Sequence, residues 1–228
     1  MNVVITSATD KEVLLLKEHL TAAFLSSNTG VKVLFHISGV GMLQTCFNIA
    51  TLIAEKKPDL LLQVGIAGTF HQNIPLGSVF VIEKEYLGDI GVEEDNSFKD
   101  LFDLNLANGD DKPFVEKALV NPSIEALNLL QLEKATSVTI NEVTTRKDRI
   151  EQLQMKYAPT IESMEGAALH YCCLQTNTPF LQIRSISNYV GERDKSKWAF
   201  RESLQNLSDA VVELLKLMNN QIEKRNEL

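Results

Sequence analysis

The chain has 228 residues, of which 44% are hydrophobic and 23% are charged, and its formal net charge is −8. This length and balance are typical of one soluble globular domain with a substantial core, so we expect a single domain spanning residues 1–228. The acidic charge argues against a nucleic acid or an anionic membrane surface as partner, and no apolar run approaches the roughly 20 residues that span a bilayer.

Short apolar runs alternate with helical patterns along the chain. The spacing predicts strands at 2–7, 31–38, 58–69, 77–87, 134–141 and 180–187. It predicts helices at 10–25, 42–57, 122–132 and 146–157, a strand and a helix within 160–173, and a long helix from Trp198 onward. This alternation predicts one α/β domain around a largely parallel sheet.

The segment 88–113 breaks the alternation because it is polar and irregular, with the apolar islands Phe98, Leu101 and Phe102. Long segments of this kind in compact domains are usually functional or mobile. Two interpretations stay open. The segment covers one end of a bound ligand, within its own chain or across a dimer interface, or it packs as an ordinary surface excursion.

The cysteines and histidines indicate neither a disulfide framework nor a metal site. There are only three cysteines, two of them adjacent at Cys172 and Cys173, and the four histidines show no metal-ligand spacing. The N-terminus also lacks the basic region of a secretory signal. We therefore expect a cytoplasmic protein with reduced cysteines, without a metal and without a cofactor.

Ligands of open α/β sheets bind beyond the carboxyl ends of strands, so the strand exits are the places to look. The exits "SGVGM" and "VGIAGTF" are rich in glycine but match neither a dinucleotide fingerprint nor a phosphate loop. More informative are Glu12 and Glu165, each in the first turn of a predicted helix, and Asn188, just past the last predicted strand. Singly, the carboxylates suit a helix dipole and the asparagine suits a turn. Jointly, they could surround one small polar ligand.

The strand exits resemble a known family. The stretches "SATDKEV", "SGVGMLQT", "VGIAGT", "VTINEV", "ESMEGAA" and "RSISNYVG" are similar, in order and spacing, to the purine nucleoside phosphorylase/nucleosidase superfamily. The chain resembles its nucleosidase branch, which includes methylthioadenosine/S-adenosylhomocysteine nucleosidases, and "SNYVGERDKSKW" resembles the futalosine hydrolases. The resemblance implies a nucleoside phosphorylase-like three-layer sandwich, with a central, mostly parallel (mixed) twisted sheet flanked by helices. It also implies a homodimer that acts on a small nucleoside.

The resemblance also implies roles for individual residues. Glu165 matches the carboxylate that binds the ribose 2′- and 3′-hydroxyls, and Met164 matches the methionine that packs against the sugar. Glu12 matches the residue that activates the attacking water. Val143 and Thr144, at the end of a predicted strand, match the wall of the base pocket. Gly68 matches a glycine that lines the site, and Asn188 matches the position facing the purine N7. Methylthioadenosine nucleosidases carry Asp at this last position and a small polar residue where this chain has Ile66.

These residue types suit cleavage of an N-glycosidic bond, in which the base must leave while a nucleophile arrives. Phosphorylases of the superfamily place an Arg where this chain has Gln63, so hydrolysis is favoured over phosphorolysis. Together with the resemblance to the futalosine hydrolases, this makes hydrolysis of futalosine to hypoxanthine the favoured interpretation. The alternatives are a methylthioadenosine/S-adenosylhomocysteine or aminofutalosine nucleosidase, and a phosphorylase that uses the basic residues of "GERDKSK". A non-enzymatic nucleoside-binding protein is a third alternative.

Overall fold

The computed structural model describes residues 1–24, 30–95 and 97–226. A mixed sheet of eight strands lies between helices, which confirms the predicted fold class. The strands are β1 (Asn2–Ser7), β2 (Lys32–Ile37), β3 (Leu60–Thr69), β4 (Val79–Leu87), β5 (Gly91–Glu94), β6 (Ser97–Asp100), β7 (Leu119–Val120), β8 (Glu133–Thr139), β9 (Ile161–Ser163) and β10 (Phe180–Tyr189), of which β5 and β6 form a separate hairpin. The helices are α1 (Asp10–Phe24), α2 (Met42–Lys56), α3 (Ile124–Leu127), α4 (Lys147–Tyr157), α5 (Gly166–Thr176) and α6 (Phe200–Asn226), with a 3₁₀ turn at Lys195–Lys197.

The sheet closes on itself at one end. The central strand β3 pairs in parallel with β1 and β10, and antiparallel with the short strand β9. From β10 the pairing continues to β4 (antiparallel), to β8 (parallel) and back to β9 (parallel). Five strands therefore form a ring, from which β1 and β2 extend as a parallel arm. Because β9 crosses the carboxyl end of β3, the chain around residues 162–165 comes to lie beside that end.

Helices cover both faces of the parallel arm because its residues alternate between the faces. Val3 and Ile5 of β1 belong to a hydrophobic cluster with α1 and α6. Val4, between them, belongs to a second cluster with α2 and α5 on the opposite face. The two clusters form the layers above and below the sheet. Within the described residues, no helix is long and apolar enough to cross a membrane.

Three local predictions differ from the structure. The segment 88–113 contains the β5–β6 hairpin, and β7 was not predicted. The helix predicted at 122–132 is only the single turn α3. There the side chain of Asn128 accepts from the backbone N–H of Leu132 and donates to its carbonyl, a local pairing that replaces helix continuation. The predicted end of the first helix, at residue 25, lies outside the described residues.

Candidate active site

A cavity of about 460 Å³ opens where β1, β3 and β10 end and β9 crosses. Six of the seven site residues predicted from the sequence line it: Glu12, Gly68, Val143, Met164, Glu165 and Asn188. The seventh, Thr144, is buried beside it and donates its backbone N–H to the Glu162 carboxylate, 3.3 Å away. Val143 and Thr144 lie in the loop after β8, which ends at Thr139, and not at a strand end as predicted. The fold therefore gathers the predicted residues at one place, and their roles stay predictions.

Glu12 both caps a helix and faces the cavity. Its Oε2 accepts hydrogen bonds from the backbone N–H and the hydroxyl of Thr9, the residue before α1, at 3.0 and 3.1 Å. This is the return half of a capping box. Its Oε1 accepts from the backbone N–H of Ile66 at 3.3 Å. Burial raises the pKa of Glu12, while Arg184 lowers it and Glu165 raises it. The two interpretations left open by the sequence, helix start and ligand contact, are thus compatible.

Glu165 is the residue immediately before α5, not in its first turn as predicted, and its carboxylate is buried. One carboxylate oxygen accepts from the backbone N–H of Gly41 at the start of α2, at 3.2 Å. The other lies 3.5 Å from the guanidinium of Arg184. Gly41 has a φ of 83°, which favours glycine. The N-terminal dipole of α2, a helix distant in sequence, therefore also stabilises this carboxylate.

Arg184, on β10, was missed by sequence reasoning although its guanidinium is central to the site. It is 1% exposed and donates to Gln63 Oε1 at 2.9 Å while pairing with Glu165. A side chain at Gly65 would collide with both the Arg184 guanidinium and Glu12 Oε1, so these two groups converge over that glycine. The surrounding sequence "FLQIRSIS" showed only a charge inside a buried strand. A charge is almost never fully buried unless it is paired, and this was the available signal.

Asn188 lies within β10, where the register with β3 shifts between Ile186 and Asn188, and not beyond the strand as predicted. Its Oδ1 accepts from the Ser187 hydroxyl at 2.8 Å and its Nδ2 donates to the Tyr189 carbonyl at 3.0 Å. One lone pair and one N–H remain for a ligand. A Cβ at its β3 partner Gly68 would lie 3.3 Å from Asn188 Nδ2, so the glycine keeps space free beside the amide.

A second buried carboxylate supports the helix that follows Glu165. Glu85 on β4 accepts from Gln182 Nε2 at 2.8 Å and from the Thr139 hydroxyl at 2.9 Å, and Thr139 accepts the backbone N–H of Ala167 at 2.8 Å. A side chain at Gly166 would collide with the Glu85 carboxylate. Glu85 does not line the cavity. It therefore fixes the first turn of α5 and, with it, the position of Glu165.

The cavity mouth carries cations and aromatic rings that sequence reasoning did not assign to the site. Its exposed lining residues include Lys11, Arg193 and Lys195, with the rings of Trp198 and Phe200 beside them. The Arg193 guanidinium lies 5.8 Å from the Trp198 ring centre. Among the residues that the structure describes, none of these three cations forms an ion pair. The stretch "GERDKSKW" was the signal, and it is equally typical of a solvated charged loop.

That loop is ordered by its own hydrogen bonds. Asp194 Oδ1 accepts from the backbone N–H and the hydroxyl of Ser196, at 3.0 and 2.7 Å. Lys197 pairs with Glu192 at 2.7 Å, and Trp198 donates its ring N–H to the Glu192 carbonyl at 3.2 Å. These contacts hold the backbone in place and leave Arg193 and Lys195 at the cavity mouth. Among the described residues of 88–113, none lines the cavity.

Within the described ranges, no group of three or more His, Cys, Asp or Glu side chains could hold a metal ion.

Comparisons with known proteins place this geometry in a family. The model of the phosphorylase superfamily matches residues 3–222. The chain belongs to the phosphorylase superfamily. Among curated superfamily members, it is 28% identical over 180 residues to the futalosine hydrolase of Thermus thermophilus, covering 78% of this chain and 79% of that protein. It is 26% identical over 236 residues to the methylthioadenosine/S-adenosylhomocysteine nucleosidase of Bacillus velezensis, covering 98% and 99%.

The solved structures of the phosphorylase superfamily agree on the fold. Futalosine hydrolase of Helicobacter pylori superimposes with a TM-score of 0.76 at 16% identity, covering 95% of this chain and 97% of that one. The predicted place of the chain in the nucleosidase branch of the superfamily is confirmed, and with it the enzyme class. The curated relatives fall into two substrate groups, so the choice of substrate depends on the site itself.

The position of Glu12 leads to a prediction about pH and turnover. A general base acts in its deprotonated form, so kcat/KM should rise with pH through the raised pKa of Glu12, above the ordinary range of a glutamate. Glu12→Gln keeps the shape and removes the base. We expect turnover to fall by about 10²–10⁴-fold while nucleoside binding is largely kept.

Steady-state rates across pH and calorimetric binding of a non-hydrolysable nucleoside analogue check this. Glu165→Gln is the matched control, since it should weaken binding as well through the charged hydrogen bonds it removes. Near-normal turnover by Glu12→Gln would contradict the assignment.

Proposed function

We propose that the chain is a nucleosidase that hydrolyses the N-glycosidic bond of futalosine, releasing hypoxanthine and dehypoxanthine futalosine for menaquinone biosynthesis. The observation that carries this choice is the cavity mouth, where Lys11, Arg193 and Lys195 have no ion-pair partner among the described residues. Futalosine bears an aryl carboxylate at its 5′ end, whereas methylthioadenosine is uncharged there and S-adenosylhomocysteine carries an ammonium beside its carboxylate and no aryl group. The cations complement the carboxylate, and Trp198 and Phe200 offer rings against which an aryl group can pack.

The inner part of the cavity supports hydrolysis. We expect the Glu165 carboxylate to accept hydrogen bonds from the two ribose hydroxyls, with Met164 against the sugar. Glu12 then takes a proton from the attacking water as the bond to the base breaks and the sugar gains oxocarbenium character. Arg184 is buried, and its Nη2 lies 2.9 Å from Gln63 Oε1 and 3.5 Å from the Glu165 carboxylate. Gln63 stands where phosphorylases of the superfamily carry an arginine, which favours water over phosphate as the nucleophile.

Asn188 supports a 6-oxopurine as the leaving base. Its free N–H can donate to O6 and its remaining lone pair can accept from a protonated N7, whereas an Asp suits the amino group of adenine. The amide cannot readily release a proton, so the N7 proton comes from solvent or another group. Because an amide can also turn over, the expected result is preference for hypoxanthine and not exclusion of adenine.

The first test asks which nucleoside is cleaved and by which nucleophile. Futalosine, aminofutalosine, methylthioadenosine and inosine would each be incubated with the protein, with and without phosphate, and the free base and the sugar product identified. We expect futalosine to be cleaved fastest, to the free sugar, and independently of phosphate. A sugar 1-phosphate product would identify a phosphorylase, and binding without any product would identify a nucleoside-binding protein.

The double variant Arg193→Ala, Lys195→Ala measures, in the same assay, how much the cavity mouth contributes to substrate selection. It should raise the KM of futalosine by about tenfold, since a hydrogen bond to a charged group contributes about 1.5–3 kcal/mol. It should leave the KM of inosine, which lacks the carboxylate, unchanged. Equal effects on both nucleosides would remove the mouth from substrate selection.

The second test concerns Asn188. A mismatched buried polar pair costs about 1–3 kcal/mol, or one to two powers of ten in kcat/KM. Asn188→Asp should therefore narrow or reverse the preference for futalosine over aminofutalosine. Comparing kcat/KM for both nucleosides in both proteins measures this, and an unchanged ratio would show that Asn188 takes no part in base recognition.

We further propose a cytoplasmic homodimer formed through the exposed apolar face of α2. Leu43 and Phe47 are 85% and 72% exposed, and Tyr171 of the adjacent helix α5 is 40% exposed. Val40, half exposed just before α2, also lines the cavity, so this face continues into the site. A second copy packed there would close the cavity on that side, and its 88–113 segment is the candidate cover.

Phe47→Glu tests the dimer. A charge at the centre of an apolar interface is left unpaired and desolvated, so sedimentation should show a dimer for the wild-type protein and a monomer for the variant. Met155→Glu is the matched control because Met155 is 80% exposed but lies on α4, outside this face. A monomeric wild-type protein at assay concentrations would overturn the proposal.

A further inference from the structure

Three neighbouring strands place a carboxylate and an amide on either side of a glycine. In the sheet register, Glu162 of β9 pairs with Gly68 of β3, which pairs with Asn188 of β10. Directly paired residues project to the same face of a sheet, and Glu162 and Asn188 both line the cavity. The two outer strands are roughly 10 Å apart, two strand spacings. Since Gly68 has no side chain, a slot remains between the carboxylate and the amide.

The Glu162 carboxylate has an unused acceptor. The residue is 7% exposed, and its Oε1 accepts from the backbone N–H of Thr144. Its Oε2 is buried and has no hydrogen-bond partner among the described residues. Buried polar atoms without a partner are rare in folded proteins. Because Glu162 is a lining residue of the cavity, this acceptor lies close to where a ligand would bind.

We propose that Glu162 reads the edge of the purine, its Oε2 accepting the N1–H of a 6-oxopurine that lies between it and Asn188. This inference rests on the proposed cleavage of purine nucleosides in the same cavity, and it assigns Glu162 a role that sequence reasoning did not give it. Hypoxanthine presents a donor at N1, which an ionised carboxylate satisfies. Adenine presents an acceptor at N1, which would face the carboxylate acceptor to acceptor.

The charged surroundings of Glu162 make this selection sensitive to pH. Burial raises its pKa to about 7, the contacts with Thr144 and the charge of Arg149 lower it, and the charge of Asp89 raises it. Glu12 and Glu165 are the other carboxylates that line the cavity. Above that pKa the ionised group favours hypoxanthine. Below it, the protonated group can donate to N1 of adenine, so the preference should weaken as the pH falls.

Binding of the free bases tests the inference without turnover. Calorimetry would compare hypoxanthine with adenine for the wild-type protein, one pH unit above and one below the pKa of about 7. We expect hypoxanthine to bind about tenfold or more tighter at the higher pH, and the ratio to fall at the lower pH. In Glu162→Gln the amide can turn to meet either base, so the ratio should drop about tenfold at the higher pH and lose most of its pH dependence.

Asp59→Asn is the matched control. The Asp59 carboxylate likewise accepts a hydrogen bond from a backbone N–H, that of Asn2, but it lies outside the cavity. It should keep the wild-type base ratio at both pH values. The inference is overturned if a folded Glu162→Gln protein keeps that ratio, if the wild-type ratio does not change with pH, or if the wild-type protein does not bind hypoxanthine.

Failure of this inference can be distinguished from failure of the proposed function. Futalosine left uncleaved, with a base ratio that still depends on Glu162, would refute the substrate and retain the base contact. Futalosine cleaved, with a base ratio indifferent to Glu162, would refute the base contact alone.

Discussion

The buried positive charge of Arg184 is the constraint on which the site depends. Two carboxylates, Glu12 and Glu165, are withdrawn from water at the same place, and each would be costly to keep ionised alone. Arg184 pairs directly with Glu165 and lowers the pKa of Glu12. A buried ion pair adds little to stability over an apolar core, but loss of one partner costs about 3–5 kcal/mol because it strands the other. The positive charge of Arg184 therefore allows these two carboxyl groups to lie close together at the cavity.

Glycines determine how closely these groups approach. At Gly65 a side chain would fill the space where the Arg184 guanidinium and the Glu12 carboxylate meet, and at Gly166 it would occupy the position of Glu85. At Gly65, alanine would force the Arg184 guanidinium and the Glu12 carboxylate apart. At Gly166, the first residue of α5, alanine would meet the Glu85 carboxylate, which works against the gain of about 1 kcal/mol that alanine normally gives over glycine inside a helix. The sequence motif "MEGAA" therefore contains two requirements, a carboxylate that points into the cavity and a glycine that allows the helix behind it to pack.

The sequence was sufficient to predict the layers of the fold and most of the cavity lining, because both follow from short patterns. Alternating apolar runs predict strands, and polar residues at strand exits meet wherever those exits converge. It was not sufficient for Arg184, Glu162 or Glu85, whose positions depend on pairings between distant strands. Nothing near Glu162 in the chain indicates that it will stand opposite Gly68, since that register follows from an antiparallel crossing of three residues within a sheet predicted to be largely parallel. The mouth cations were visible, but a charged loop has the same sequence whether it faces solvent or a ligand.

The site separates into parts that can change independently. Glu12, Glu165 and Arg184 are electrostatically coupled, and the proposal assigns the two carboxylates to water and ribose. The proposed base contacts come from different strands, β9 and β10, and the mouth cations Arg193 and Lys195 come from the loop after β10. Changes in base edge or 5′ substituent can therefore be accommodated without disturbing the ion pair. This separation is compatible with one fold being shared, at similar levels of identity, by relatives that carry the names of two different nucleosidases. Under the proposed assignment, the slot and the mouth determine the substrate, and the buried charges beneath them are compatible with either substrate group.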